Sequence, residues 1–145
     1  MWIATRYGFF SVVLARDLES KKQTKLLPDL IMIRARQRQH LRNLQAEVPE
    51  LAGHKIVSNK GTDYRYRIIA PKAVLAPLML KLVDALDYGN FKSECHRHAP
   101  DDWQYHSCLS GMWSESYRMQ QLEGQRREPK EWRGDDEDVF QRVFG

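Results

Sequence analysis

The sequence has little of what usually announces a function. Its 145 residues include only two cysteines, Cys95 and Cys108, which excludes a scaffold held together by a disulfide framework. No apolar run approaches the roughly 18–20 residues of a membrane-crossing helix. The opening Met1-Trp2-Ile3-Ala4-Thr5-Arg6 also lacks the charged-then-apolar order of a secretory leader. Both absences set the expectation of a soluble, cytoplasmic chain. There is no GxxxxGK[ST] phosphate loop, no GxGxxG, no HExxH and no GxSxG, so the short motifs of nucleotide-, metal- and acyl-transfer enzymes are missing. Internal repeats and low-complexity tracts are missing too.

What is present is ordinary globular material: 42% hydrophobic and 29% charged residues, which excludes a wholly disordered chain. The net charge of +4 is modest but unevenly placed. From Arg16 to Lys60 there are 10 Lys or Arg against 5 Asp or Glu, whereas from Cys95 to Gly145 there are 7 against 10. The first half is basic and the tail acidic. Arg34, Arg36, Arg38 and Arg42 crowd around His40 with Gln37 and Gln39, side chains able to reach phosphate oxygens and base edges. The same residues also suit the polar face of an amphipathic helix.

Trp2 to Ala15 is rich in aromatic and β-branched residues and predicts one strand, with Gly8 as a bulge or bend. Arg16 to Asp29 is polar and lysine-rich, an exposed connection, and Leu30–Ile33 predicts a buried strand. Leu41, Leu44, Val48 and Leu51 recur at helical spacing, giving a helix over about Arg36–Glu47. His54–Ser58 and Tyr64–Ala70 suggest a hairpin around the turn chemistry of residues 59–63. Val74, Leu75, Leu78, Met79, Leu82, Val83 and Leu86 form a helical stripe interrupted by Pro77, which implies a kink or a helix starting there. Asp87–Phe91 then reads as a loop, its Gly89-Asn90 pair suited to a left-handed cap. Asp102 is a plausible N-cap for a last long helix to Leu122, with Tyr105, Leu109, Met112, Trp113 and Tyr117 on its apolar side and Trp103 and Trp113 expected in the core. The order β-β-α-β-β-α-α predicts a two-layer α+β domain over residues 1–123, a mostly antiparallel sheet covered by two or three helices. Residues 124–145 read as a charged linker and a short amphipathic segment, in which Val139, Phe140, Val143 and Phe144 could dock on the domain or join copies of the chain.

Tyr64-Arg65-Tyr66-Arg67 alternates aromatic and guanidinium groups along one strand. Both arginines would share one sheet face as a grip for phosphates or carboxylates, and both tyrosines the other, either in the core or as a stacking platform. Cys95, His98, His106 and Cys108 offer thiolate and imidazole ligands, but their C-x2-H-x7-H-x-C spacing matches no standard zinc site. They stand as an alternative metal set, and with His96, Asp101 and Asp102 as the core of an alternative metal-dependent, nuclease-like enzyme. No cofactor is implied by any motif.

The segments Trp2–Ser11 (WIATRYGFFS), Ile33–Arg36, Asp63–Ile68 (DYRYRI), Asp87–Lys92 (DYGNFK) and Tyr105-His106 together resemble an uncharacterised family of short hypothetical proteins of bacterial and phage genomes. The resemblance covers most of residues 1–122. It implies a compact α/β domain and an origin in a phage or mobile element, and brings no activity, cofactor or catalytic residue. The chain departs from the pattern in its longer Arg16–Asp29 connection, its Cys95–His98 loop and its acidic tail. The expectation is a small non-enzymatic binding protein, of a phage accessory or anti-defence kind. It would contact nucleic acid, or a protein that handles nucleic acid, through Arg34, Arg36, Arg38, Arg42, Tyr64, Arg65, Tyr66 and Arg67.

Overall fold

The structure, a computed structural model, describes residues 1–17 and 25–125. Its elements are β1 (Trp2–Thr5), β2 (Gly8–Arg16), β3 (Leu26–Ala35), α1 (Arg38–Glu47), β4 (Val57–Ser58), β5 (Tyr66–Pro71), α2 (Leu75–Asp84), α3 (Phe91–His98) and α4 (Trp103–Gln125). One-turn 3-10 helices occupy Pro49–Leu51 and Lys72–Val74. The strands make one sheet in the spatial order β1-β2-β3-β5-β4, each neighbouring pair antiparallel, which is the expected α+β class. The chain divides into two compact units, Met1–Ser107 and Cys108–Gly145, the division falling within α4. The segment carrying Val139, Phe140, Val143 and Phe144 lies outside the described residues.

Alternation assigns the two faces of the sheet. Ile3, Phe10, Val12, Ile31, Ile33, Ile68 and Ala70 point to one side and meet Leu41, Leu44, Val48 and Leu51 from α1 and its 3-10 extension, with Leu78 from α2. All four residues of the α1 stripe are 0–1% exposed, as their spacing predicts. The opposite side carries Trp2, Phe9, Ser11, Val13, Met32, Arg34, Arg67 and Ile69, related by the ladder registers.

Several elements differ from the expectation. The first strand is a hairpin, β1 and β2 turning through Arg6 and Tyr7, with Thr5 Oγ1 accepting from Tyr7 N (3.1 Å) and donating to Gly8 O (3.2 Å). Gly8 enters β2 at φ 144°, and a Cβ there would lie 2.3 Å from the His40 ring. β3 begins at Leu26, before the expected Leu30. Leu14 pairs with Ile31 but Ala15 with Leu27, so Pro28 sits in an irregularity of the β2–β3 ladder where its missing N–H is harmless. Pro77 lies in the first turn of α2 and breaks no intrahelical bond, so of the two expected outcomes the helix starts near it and does not kink. Asn90 is extended (φ −139°) rather than left-handed, and its side chain accepts from Ser93 N (2.9 Å) as the N-cap of α3, a helix where a loop was expected. On α4, Asp102 accepts from Tyr105 N (3.0 Å) as expected, but Trp103, Trp113 and Tyr117 are exposed rather than core.

Candidate nucleic-acid interface

The fold gathers arginines in two chemically distinct ways. Arg6, in the β1–β2 turn, donates to Glu94 Oε1 (2.6 Å), Asp87 Oδ1 (2.9 Å) and Ala85 O (2.7 Å). Arg97 grips the same buried Glu94 through both carboxylate oxygens, at 2.9 and 2.7 Å. These two cations, Arg97 first, hold the Glu94 carboxyl down at about 2. They are struts joining the hairpin to α3.

The second set is arranged around two tyrosines. The guanidinium groups of Arg34 and Arg36 lie over the Tyr64 ring, 4.6 and 4.2 Å from its centroid. Those of Arg38 and Arg65 lie over Tyr66, at 5.6 and 5.3 Å. Arg67 donates to Thr62 Oγ1 and to Tyr64 O (3.0 Å), and Arg34 to Ser11 Oγ (2.8 Å). Among the described residues no carboxylate lies within ion-pair distance of Arg34, Arg36, Arg38, Arg65 or Arg67. A guanidinium resting on an aromatic face keeps its charge and its N–H edge for another acceptor. Five of the expected contact residues thus have no carboxylate within ion-pair distance among the described residues. Arg42 is exposed on α1, one turn beyond Arg38.

The strand alternation expected for Tyr64–Arg67 does not hold. β5 begins at Tyr66, so Tyr64 and Arg65 precede it. Tyr64 is 3% exposed, beneath Arg34 and Arg36, and its hydroxyl has no partner among the described residues. Arg65 turns to Ser58 Oγ (3.5 Å) and Arg67 to the sheet side that carries Met32, so the two are not a matched pair on one strand face. Tyr66 packs against the core. Aromatic contacts rather than strand periodicity hold four of the arginines, in two groups: Arg34 and Arg36 on Tyr64, and Arg38 and Arg65 on Tyr66.

The sequence reading missed Trp2 as a surface residue. The registers align Trp2, Ser11, Arg34, Arg67 and Val57 in one row across all five strands. Trp2 is 69% exposed, its indole edge-on to Phe9 at 5.5 Å and 76°. Treating Trp2–Thr5 as its own strand, with Trp2 and Ala4 opposite in facing to Ile3, is the signal that finds it. Beside this row a groove of about 570 Å³ is lined by Met1, Val13, Met32, Arg34, Thr62 and Arg67, among others.

The alternative metal set is not assembled. Cys95 is buried and donates to Thr5 O (3.8 Å), burial and then the neighbouring Glu94 pushing its thiol up to about 11. His98 meets the Tyr7 ring edge-on at 5.2 Å, and His106 stacks on His96 at 3.7 Å with Nε2 donating to Ala99 O (2.8 Å). Cys108 is exposed and donates to Met112 Sδ (3.9 Å). Among the described residues no three His, Cys, Asp or Glu side chains are placed to hold a metal ion. Asp102 is occupied as the cap of α4 and by His40 Nε2 (3.1 Å) and Gln37 (3.2 Å). Burial opposes its charged form, but the Tyr105 amide, His40 and Gln37 outweigh that and lower its pKa. His40 Nδ1 accepts from Phe9 N (3.3 Å), so both ring nitrogens are committed to the fold.

No helix among the described residues is long and apolar enough to cross a membrane. Comparison of the chain with protein-family models, with curated proteins and with solved structures finds no match.

Proposed function

We propose that the protein is a small, non-enzymatic, cytoplasmic nucleic-acid-binding protein, an accessory or anti-defence factor of a phage or mobile element, which makes contact through the arginine face around Tyr64 and Tyr66. The observation that carries this reading is that Arg34, Arg36, Arg38, Arg65 and Arg67, held in groups at Tyr64 and Tyr66, have no carboxylate within ion-pair distance among the described residues. Elsewhere the same chain pairs Arg6 and Arg97 with Glu94. Uncompensated like charges repel and cost stability, so a cluster of this kind fits an anionic partner. Phosphate oxygens accept in the plane of a guanidinium whose face rests on a tyrosine, so both surfaces of the group are used.

Fluorescence anisotropy of labelled oligonucleotides at two salt concentrations tests this reading. With about five phosphates neutralised, affinity is expected to fall about a hundred-fold between roughly 50 and 200 mM salt. The double variant Arg36→Gln/Arg65→Gln, which removes two exposed cations, is expected to bind about ten-fold more weakly with a shallower salt slope. Binding that ignores both salt and these substitutions would remove nucleic acid from consideration and leave an acidic protein surface as the partner.

A further inference from the structure

Resting on the nucleic-acid reading above, we infer that the ligand is a single strand laid across the sheet face that carries Trp2, with an unpaired base on the Trp2 indole and phosphates at Arg34 and Arg67. Three observations converge on that face. The Trp2–Ser11–Arg34–Arg67 row places an exposed indole two strands from one guanidinium and three from the next. At the usual interstrand spacing these steps are about 10 and 14 Å. The groove beside the row, about 570 Å³, is floored by Val13 and Met32 and walled by the same two arginines.

The Nε atoms of Arg34 and Arg67 are also buried without a hydrogen-bond partner among the described residues, although other nitrogens of both groups are bonded. A buried charged N–H left unpaired is costly, so either side chain gains by turning toward a phosphate oxygen bound in the groove that both line. The orphaned Tyr64 hydroxyl, under Arg34, is a further donor within this cluster.

The strandedness follows from the aromatic. A base can stack on Trp2 only when its face is free of its neighbours, as in a single strand, whereas a duplex offers only edges and backbone. Stacking is tolerant of sequence because every base has a π-face, so little base preference is expected. The substrate class is thus single-stranded nucleic acid read by shape and charge.

The test uses the full chain with an oligothymidylate of about 15 nucleotides and a duplex of equal length. The single strand is expected to bind at least about ten-fold more tightly than the duplex, and Trp2→Ala to remove about ten-fold of that affinity while leaving duplex binding unchanged. Trp2→Phe is expected to keep most of the affinity while abolishing most of the tryptophan-fluorescence quenching that the oligonucleotide causes in the wild type. Equal affinity for both forms, or unchanged single-strand affinity and quenching in the Trp2 variants, overturns this inference while the arginine-face reading stands. Loss of all binding in the unaltered protein overturns both.

Discussion

Glu94 and His40 are buried titratable groups that the fold holds in defined charge states, and each gives stability its own pH dependence. Arg97 and Arg6 keep the Glu94 carboxyl near 2 against an ordinary 4.5. Its contribution is therefore complete above about 4.5 and is lost as pH falls toward 2. Glu94→Gln is expected to melt several degrees below wild type at neutral pH, and the gap in thermal midpoint should close between pH 5 and pH 2. A gap that does not change with pH would show that the ion pairs contribute nothing. His40 has the opposite chemistry but the same sign: burial lowers its pKa from 6.5 despite the neighbouring Asp102. Nδ1 must stay unprotonated to accept from Phe9 N. The fold thus also loses stability as pH drops below about 6.5, before Glu94 begins to titrate.

The β1–β2 turn takes hydrogen bonds from α1, α3 and the start of α4. Thr5 O accepts from both Tyr105 Oη (2.8 Å) and Cys95 Sγ (3.8 Å), and Tyr7 O accepts from Asn43 (3.2 Å). Gly8 combines a positive φ with a close approach to His40. Gly8→Ala is expected to lower stability by about 3 kcal/mol or more, seen as a lower urea midpoint at unchanged slope. An unshifted midpoint would mean the turn relaxes freely. Little of this was legible in the sequence, because Arg6-Tyr7 carries no turn chemistry and leaves two β-rich runs looking like one. α3 was hidden for a related reason: its eight residues bury Glu94 and Cys95, not an apolar stripe. α1 was legible because Leu41, Leu44, Val48 and Leu51 repeat at three and four and all go inside.

At the scale of the whole molecule the two thiols report on global opening. Cys108 is exposed, whereas Cys95 is buried with its thiol pushed up to about 11. Native protein is expected to give one thiol to a disulfide reagent within seconds and the second only at the rate of unfolding. Two fast thiols would mean that α3 detaches from the hairpin. The candidate site was half legible on the same scale. Composition alone picks out Arg34, Arg36, Arg38, Arg65, Arg67 and both tyrosines as candidates. Arg97 pairs with Glu94 three residues away, but Arg6 meets its acceptors 79 to 88 residues away. No local pattern carries the information for Arg6. The turn at Arg6 and Tyr7 is synthesised long before the residues that secure it, with Glu94 88 and Tyr105 100 positions downstream of their bonding partners. During translation the turn between β1 and β2 is held at first through the ladders of β1, β2 and β3 and through α1. Their last fastening arrives when α3 and the start of α4 emerge, so the part of the chain made first is locked last.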